Sequence, residues 1–71
     1  MVDTELLEKT IKEAGYKLTE FAQSVDISRA SFYLKKDNKR DFTSKEICRI
    51  CEKLNLDIFQ KDKIFFAHYV A

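Results

Sequence analysis

Proline is absent from this 71-residue chain, and glycine occurs once, as Gly15. Folds made of β-strands usually need more of both residues at their corners, so this scarcity favours helices joined by short turns. Long apolar runs are also missing: the longest has four residues, Ile64–Ala67, whereas a membrane-spanning helix needs about 20. The sequence therefore predicts a small all-α domain that does not associate with a membrane.

Residues for catalysis or metal binding are also few. The acidic start of the chain has no apolar signal-peptide core, and the two cysteines are expected to be reduced in the cytoplasm. Cys48 and Cys51 form a single pair, with His68 as the one histidine, while a structural zinc site needs four ligands. One glycine cannot build a phosphate-binding loop. We therefore expect no enzyme activity, no cofactor, no metal and no small-molecule substrate.

Positive charge is concentrated in the middle of the chain. The net charge is +1, yet residues 27–49 hold 7 basic and 3 acidic residues, and residues 1–26 hold 3 basic and 6 acidic ones. A polyanion would be attracted to the middle segment rather than to the flanking ones. The alternative is that these charges form an ordinary solvated face.

The spacing of apolar residues predicts five helices within one domain that covers residues 1–71. Four helices are expected at about 4–14, 17–25, 29–36 and 44–54, and a short fifth one near 57–61. Thr43 and Glu46 have the spacing of a capping box. The apolar tail Ile64–Val70 is either extended or helical. It either serves only to complete the core, or part of it completes the core and the rest forms a homodimer or heterodimer contact. The three-residue turn Asp26–Ser28 makes a helix-turn-helix over about 17–36 plausible.

The stretch from Gly15 to Phe32 resembles the Cro/phage-repressor helix-turn-helix family. The small residue of that motif falls at Ala22, the turn at Asp26, and the cap of the next helix at Ser28. The resemblance extends over about residues 5–66. The family usually has glycine at three turns, and this chain has Asp26, Asn38 and Asn55 there. Asn and Asp are the residues besides glycine that best tolerate the left-handed backbone, so the resemblance predicts that conformation at all three.

The resemblance implies a cytoplasmic regulator of a phage lysis–lysogeny switch in a bacterial host, with its third helix in the major groove of operator DNA. The implied base-reading residues are Ser28, Arg29, Ala30, Ser31 and Tyr33. The implied phosphate contacts are Lys35, Lys39, Arg40 and Lys45. Arg29 is the candidate for a bidentate contact with guanine, worth about 1–3 kcal/mol of discrimination.

Several positions depart from this family and indicate a second function. Leu18 replaces a phosphate-contacting glutamine, and Tyr33 and Leu34 occupy outward positions of the third helix where polar residues are usual. Lys36 stands at a position that is often apolar in the family, so we expect its aliphatic stem to pack toward the core and its ammonium group to lie in water. Aromatic, aliphatic and arginine side chains together are typical of protein interfaces. The chain also resembles phage modulators of repression, which bind the phage repressor and block its operator contacts.

Overall fold

The computed structural model describes residues 1–67, which form five α-helices and no strand. The helices are α1 (Thr4–Glu13), α2 (Leu18–Ser24), α3 (Arg29–Lys36), α4 (Ser44–Leu54) and α5 (Ile58–Phe65). The predicted all-α class and the number of helices are confirmed. The predicted end of the fifth helix is wrong, because α5 continues to Phe65 and includes the start of the apolar tail. Within residues 1–67, no helix has both the length and the apolar character to cross a membrane.

Four helices begin at a side chain that accepts a backbone hydrogen bond. Asp3, Ser28, Thr43 and Asp57 each accept from the N–H group three residues further along, which satisfies a donor that the helix leaves free. The predicted capping box is confirmed, since Glu46 accepts in return from the Thr43 N–H at 2.8 Å. These caps fix where those four helices start.

The backbone is left-handed at the three predicted non-glycine positions. The φ angles are 60° at Asp26, 64° at Asn38 and 55° at Asn55. Gly15 follows α1 with a φ of 92°, a conformation that glycine adopts without steric cost. The left-handed conformation predicted for Asp26, Asn38 and Asn55 from the resemblance and the residue types is therefore confirmed. Each of these positions ends or follows a helix.

A series of aromatic rings connects the elements of the core. Tyr16 packs on Phe21 of α2, Phe21 on Phe32 of α3, Phe32 on Phe42, and Phe42 on Phe65 of α5, with ring centroids 5.4–6.1 Å apart and edge-to-face geometry. Such pairs contribute about 0.5–1.5 kcal/mol each beyond the area that they bury. Phe32 is fully buried, so it fixes the side of α3 that faces inward and leaves the opposite side outward.

The end of α5 completes the core. Ile64 and Phe65 are 2% and 3% exposed, and the Ile64 carbonyl accepts a hydrogen bond from the Asp3 N–H at 2.7 Å. The prediction that at least part of the tail completes the core is thus confirmed for these two residues. Phe66 is half-buried. The rest of the tail, residues 68–71, lies outside the described part of the chain, and so does His68.

Candidate interaction surface on the third helix

The connection between α2 and α3 is held by contacts from three directions. Ile27 is buried, and its N–H donates to the Ala22 carbonyl at 3.0 Å. Arg49 of α4 donates from Nε to the Val25 carbonyl at 2.8 Å. The Ser28 hydroxyl accepts from the Ser31 N–H at 3.2 Å. The beginning of α3 is therefore fixed relative to both α2 and α4.

The outward side of α3 carries the four residues that the sequence placed there. Arg29, Ala30 and Leu34 are exposed, and Tyr33 is half-buried. The Arg29 guanidinium lies 5.9 Å from the centroid of the Tyr33 ring, within the range of a cation–π interaction. We call Arg29, Ala30, Tyr33 and Leu34 the α3 outer face. Leu34, at 39% exposure, belongs to this face and not to the core.

Lys35, which the resemblance placed on phosphate, is committed to an ion pair inside the protein. Its Nζ lies 2.7 Å from both carboxylate oxygens of Glu46, and the two side chains are 14% and 12% exposed. Burial raises the pKa of Glu46, but hydrogen bonds from Lys35 and Thr43 outweigh it, so the net pKa lies below its usual value. A phosphate contact by Lys35 thus requires this pair to open.

Lys36 is also paired with carboxylates. Its stem is buried, as expected, but the expectation of an ammonium in water is wrong: Nζ lies 2.7 Å from Asp37 and 3.0 Å from Glu8. Burial lowers the pKa of Lys36, yet the hydrogen bonds to Asp37 and Glu8 outweigh it and raise the net pKa. The same ammonium lies 5.0 Å from the centroid of the Tyr33 ring, so this ion pair also supports the α3 outer face.

The other candidate residues are dispersed around α3. Ser28 is exposed and uses its hydroxyl as a cap, while Ser31 is half-buried. Lys39 and Arg40 are exposed in the loop after α3, and Lys45 is exposed in the first turn of α4. Basic groups therefore remain at the surface beyond the helix, although both lysines of α3 are paired.

Three contributions to this surface were missed by the sequence analysis: the Glu46 bond to Lys35, the Glu8 bond to Lys36 and the Arg49 bond to Val25. Each joins two segments that are distant in sequence. The capping-box spacing drew attention to Glu46, but it carried no signal for a second partner on α3.

The cysteines do not form a second site. Cys48 is exposed and Cys51 half-buried, both as free thiols, and burial raises the pKa of Cys51. Cys51 packs against the core from its edge. Among residues 1–67, no group of three His, Cys, Asp or Glu side chains is placed to hold a metal ion.

No protein family, curated protein or solved structure matches this chain. Membership of the Cro/phage-repressor family and homodimer formation through the tail therefore stay predictions. What supports a function is the α3 outer face together with the ion pairs beside it.

Proposed function

We propose that this chain is a regulator of the phage genetic-switch type whose α3 outer face binds the cognate phage repressor and blocks the repressor's operator contacts. One observation carries the proposal: α3 presents an aromatic, an aliphatic and an arginine side chain outward while both its lysines are held in ion pairs. Tyrosine and arginine are among the residues that contribute most of the binding energy at protein interfaces. The identity of the partner rests on the sequence resemblance alone.

The α3 outer face is poorly suited to reading DNA. A helix in the major groove reads base edges mainly through polar side chains and holds phosphates with free cations. Ala30 and Leu34 offer no hydrogen bond from their side chains, and Lys35 and Lys36 are already bound to carboxylates. A protein surface, in contrast, gains from covering Leu34 and Tyr33, because burying apolar area on binding is favourable.

Operator binding is the second candidate function, and exposed polar groups favour it. Arg29 stands exposed in the first turn of α3, where recognition helices contact bases. Lys39, Arg40 and Lys45 are exposed nearby in sequence and have the charge that phosphate contacts need. Under this second proposal, Arg29 contacts base edges and the three basic groups contact phosphates of double-stranded DNA.

The test of the first proposal compares two exposed aliphatic residues. Leu34→Ala shortens a side chain of the α3 outer face, whereas Ile58→Ala shortens a side chain of α5 that is 65% exposed. We expect Leu34→Ala to weaken binding to the cognate repressor by about tenfold, a typical cost for an interface anchor, and Ile58→Ala to leave it within about twofold. Isothermal titration calorimetry with the purified repressor measures both.

Electrophoretic shift of operator DNA separates the two candidates. If the chain binds the repressor, adding it removes or changes the repressor's own shift, and the chain alone gives none. A shift by the chain alone that Arg29→Ala abolishes supports operator binding instead. Retention of repressor affinity by both Leu34→Ala and Tyr33→Ala would contradict the first proposal.

A further inference from the structure

The two lysines that end α3 lie in the most basic segment of the chain, yet neither is available to an anion. Lys35 is paired with Glu46 of α4, and Lys36 with Asp37 and with Glu8 of α1. Nonspecific DNA binding depends on the number of cations that contact phosphates. Carboxylates of the protein itself therefore already pair with both cations of α3.

The Lys35–Glu46 pair is the better positioned of the two. Both carboxylate oxygens are 2.7 Å from the ammonium, and both side chains are largely shielded from solvent. Such shielding weakens screening by salt, so the pair is stronger than one at an exposed surface. The Thr43 N–H also donates to Glu46 at 2.8 Å, which holds the carboxylate in place before any partner arrives. A phosphate would have to displace a preformed partner to reach Lys35.

We propose that Glu46 is a specificity-determining residue: by holding Lys35, it suppresses binding of α3 to nucleic-acid phosphates and reserves the α3 outer face for a protein partner. This inference deepens the proposed function and rests on it. It gives Glu46 a second role besides capping α4.

The test uses the variant Glu46→Gln. Glutamine keeps the side-chain acceptor that a capping box needs at this position but removes the charge that holds Lys35. The matched control is Glu20→Gln in α2, where Glu20 has the same position in its helix and accepts from the Lys17 N–H at 3.2 Å. Both variants change the net charge by the same amount, so any difference between them depends on where the charge is removed.

Binding is measured by fluorescence anisotropy with a short, labelled, random-sequence DNA duplex. One new phosphate contact should raise the affinity of Glu46→Gln about five- to fifteenfold over that of Glu20→Gln between ~150 and ~50 mM KCl. The slope of log affinity against log salt should steepen by about 0.9. Equal affinities and equal slopes for the two variants overturn the proposal.

Lys35 itself provides the second arm. The gain of Glu46→Gln should disappear in the double variant Lys35→Gln/Glu46→Gln, and a gain that persists there overturns the role of Lys35. In the otherwise unchanged chain, Lys35 is paired with Glu46 and not with a phosphate. Lys35→Gln should therefore change DNA affinity by no more than about twofold, which is less than the loss of one phosphate contact. Lys45 is exposed, so Lys45→Gln should lower the affinity by more than that. A loss for Lys35→Gln as large as that for Lys45→Gln overturns the proposal, whether or not Glu46→Gln folds.

The outcomes for repressor binding are independent of this assay, which contains no repressor. A flat result for Glu46→Gln leaves the repressor proposal standing. If Leu34→Ala does not weaken repressor binding, the repressor proposal fails, while the comparison of Glu46→Gln with Glu20→Gln still shows whether Glu46 suppresses DNA binding.

Discussion

At the scale of single residues, Asn38 and Asn55 share a left-handed backbone but have different roles. The Asn38 amide accepts from the Val2 N–H at 2.8 Å and donates to the Val2 carbonyl at 2.9 Å. Asn55 acts through its backbone, since its N–H reaches carbonyls in the last turn of α4. The Asn38 side chain thus attaches the start of the chain to the loop after α3.

Glycine substitution separates these roles. Asn55→Gly removes little besides steric cost, so we expect stability to stay the same or to rise by up to about 1 kcal/mol. Asn38→Gly relieves the same cost but deletes two hydrogen bonds, so it should be less stable than Asn55→Gly by about 1–2 kcal/mol. Urea denaturation followed by circular dichroism measures both free energies of unfolding. Equal values would show that the Asn38–Val2 contacts contribute nothing.

Residue chemistry, applied to the three turn positions that the resemblance points to, predicted the left-handed backbone because tolerance of it is a local property of Asp and Asn. It did not predict the partners of Lys35 and Lys36. Their carboxylates come mainly from other helices, and nothing in the local sequence marks which acid will lie beside which base. The electrostatics of α3 therefore became visible only in the assembled fold.

At the scale of helices, the Lys35–Glu46 pair links the last turn of α3 to the first turn of α4. Because the pKa of Glu46 is lowered from 4.5 in the folded protein, its ionised form is favoured by folding. The stability that it contributes is complete above the unfolded pKa and is lost as the pH falls through the folded pKa. The titration of Glu46 therefore weakens this link when the pH falls, and it has no effect when the pH rises above neutral.

This sign gives a pH-dependent prediction for Glu46→Gln. At neutral pH the variant should be less stable than the original chain by about 1 kcal/mol, a typical value for a partly shielded ion pair. The gap should close once the pH is below the folded pKa of Glu46, because the carboxylate is then neutral in both folded and unfolded chains. Urea unfolding at neutral and acid pH gives the gap at each. A gap that is unchanged at acid pH would assign the loss to capping or packing instead.

Helix boundaries were mostly predictable, since caps and turn residues announce them locally, but the extent of α5 was not. Ile58-Phe59 and Ile64-Phe65 are the same pair of residue types within one helix. The first pair is 65% and 75% exposed, and the second pair is almost fully buried. Composition cannot distinguish the two pairs, because burial here is decided by what packs against α5 from the rest of the chain.

At the scale of the whole molecule, the two ends of the described chain meet. The Asp3 N–H donates to the Ile64 carbonyl, and the Ala67 N–H donates to the Met1 carbonyl at 3.2 Å. With Val2 held by Asn38, the first three residues connect the end of α5 to the loop after α3. Phe65 packs on Phe42 beside this junction, so the fold of a short chain depends on its last helix.

The dependence on α5 is tested by two phenylalanines in that helix. Phe65→Ala leaves a cavity in the core and should cost about 3–5 kcal/mol, comparable with the whole stability of many small domains. Phe59→Ala changes a side chain that is 75% exposed and should stay within about 0.5 kcal/mol of the original. Urea and thermal unfolding followed by circular dichroism give both values. Truncation after Lys63 removes both Ile64 and Phe65, so it should unfold the chain. Similar losses of unfolding free energy from Phe65→Ala and Phe59→Ala would contradict the orientation of α5.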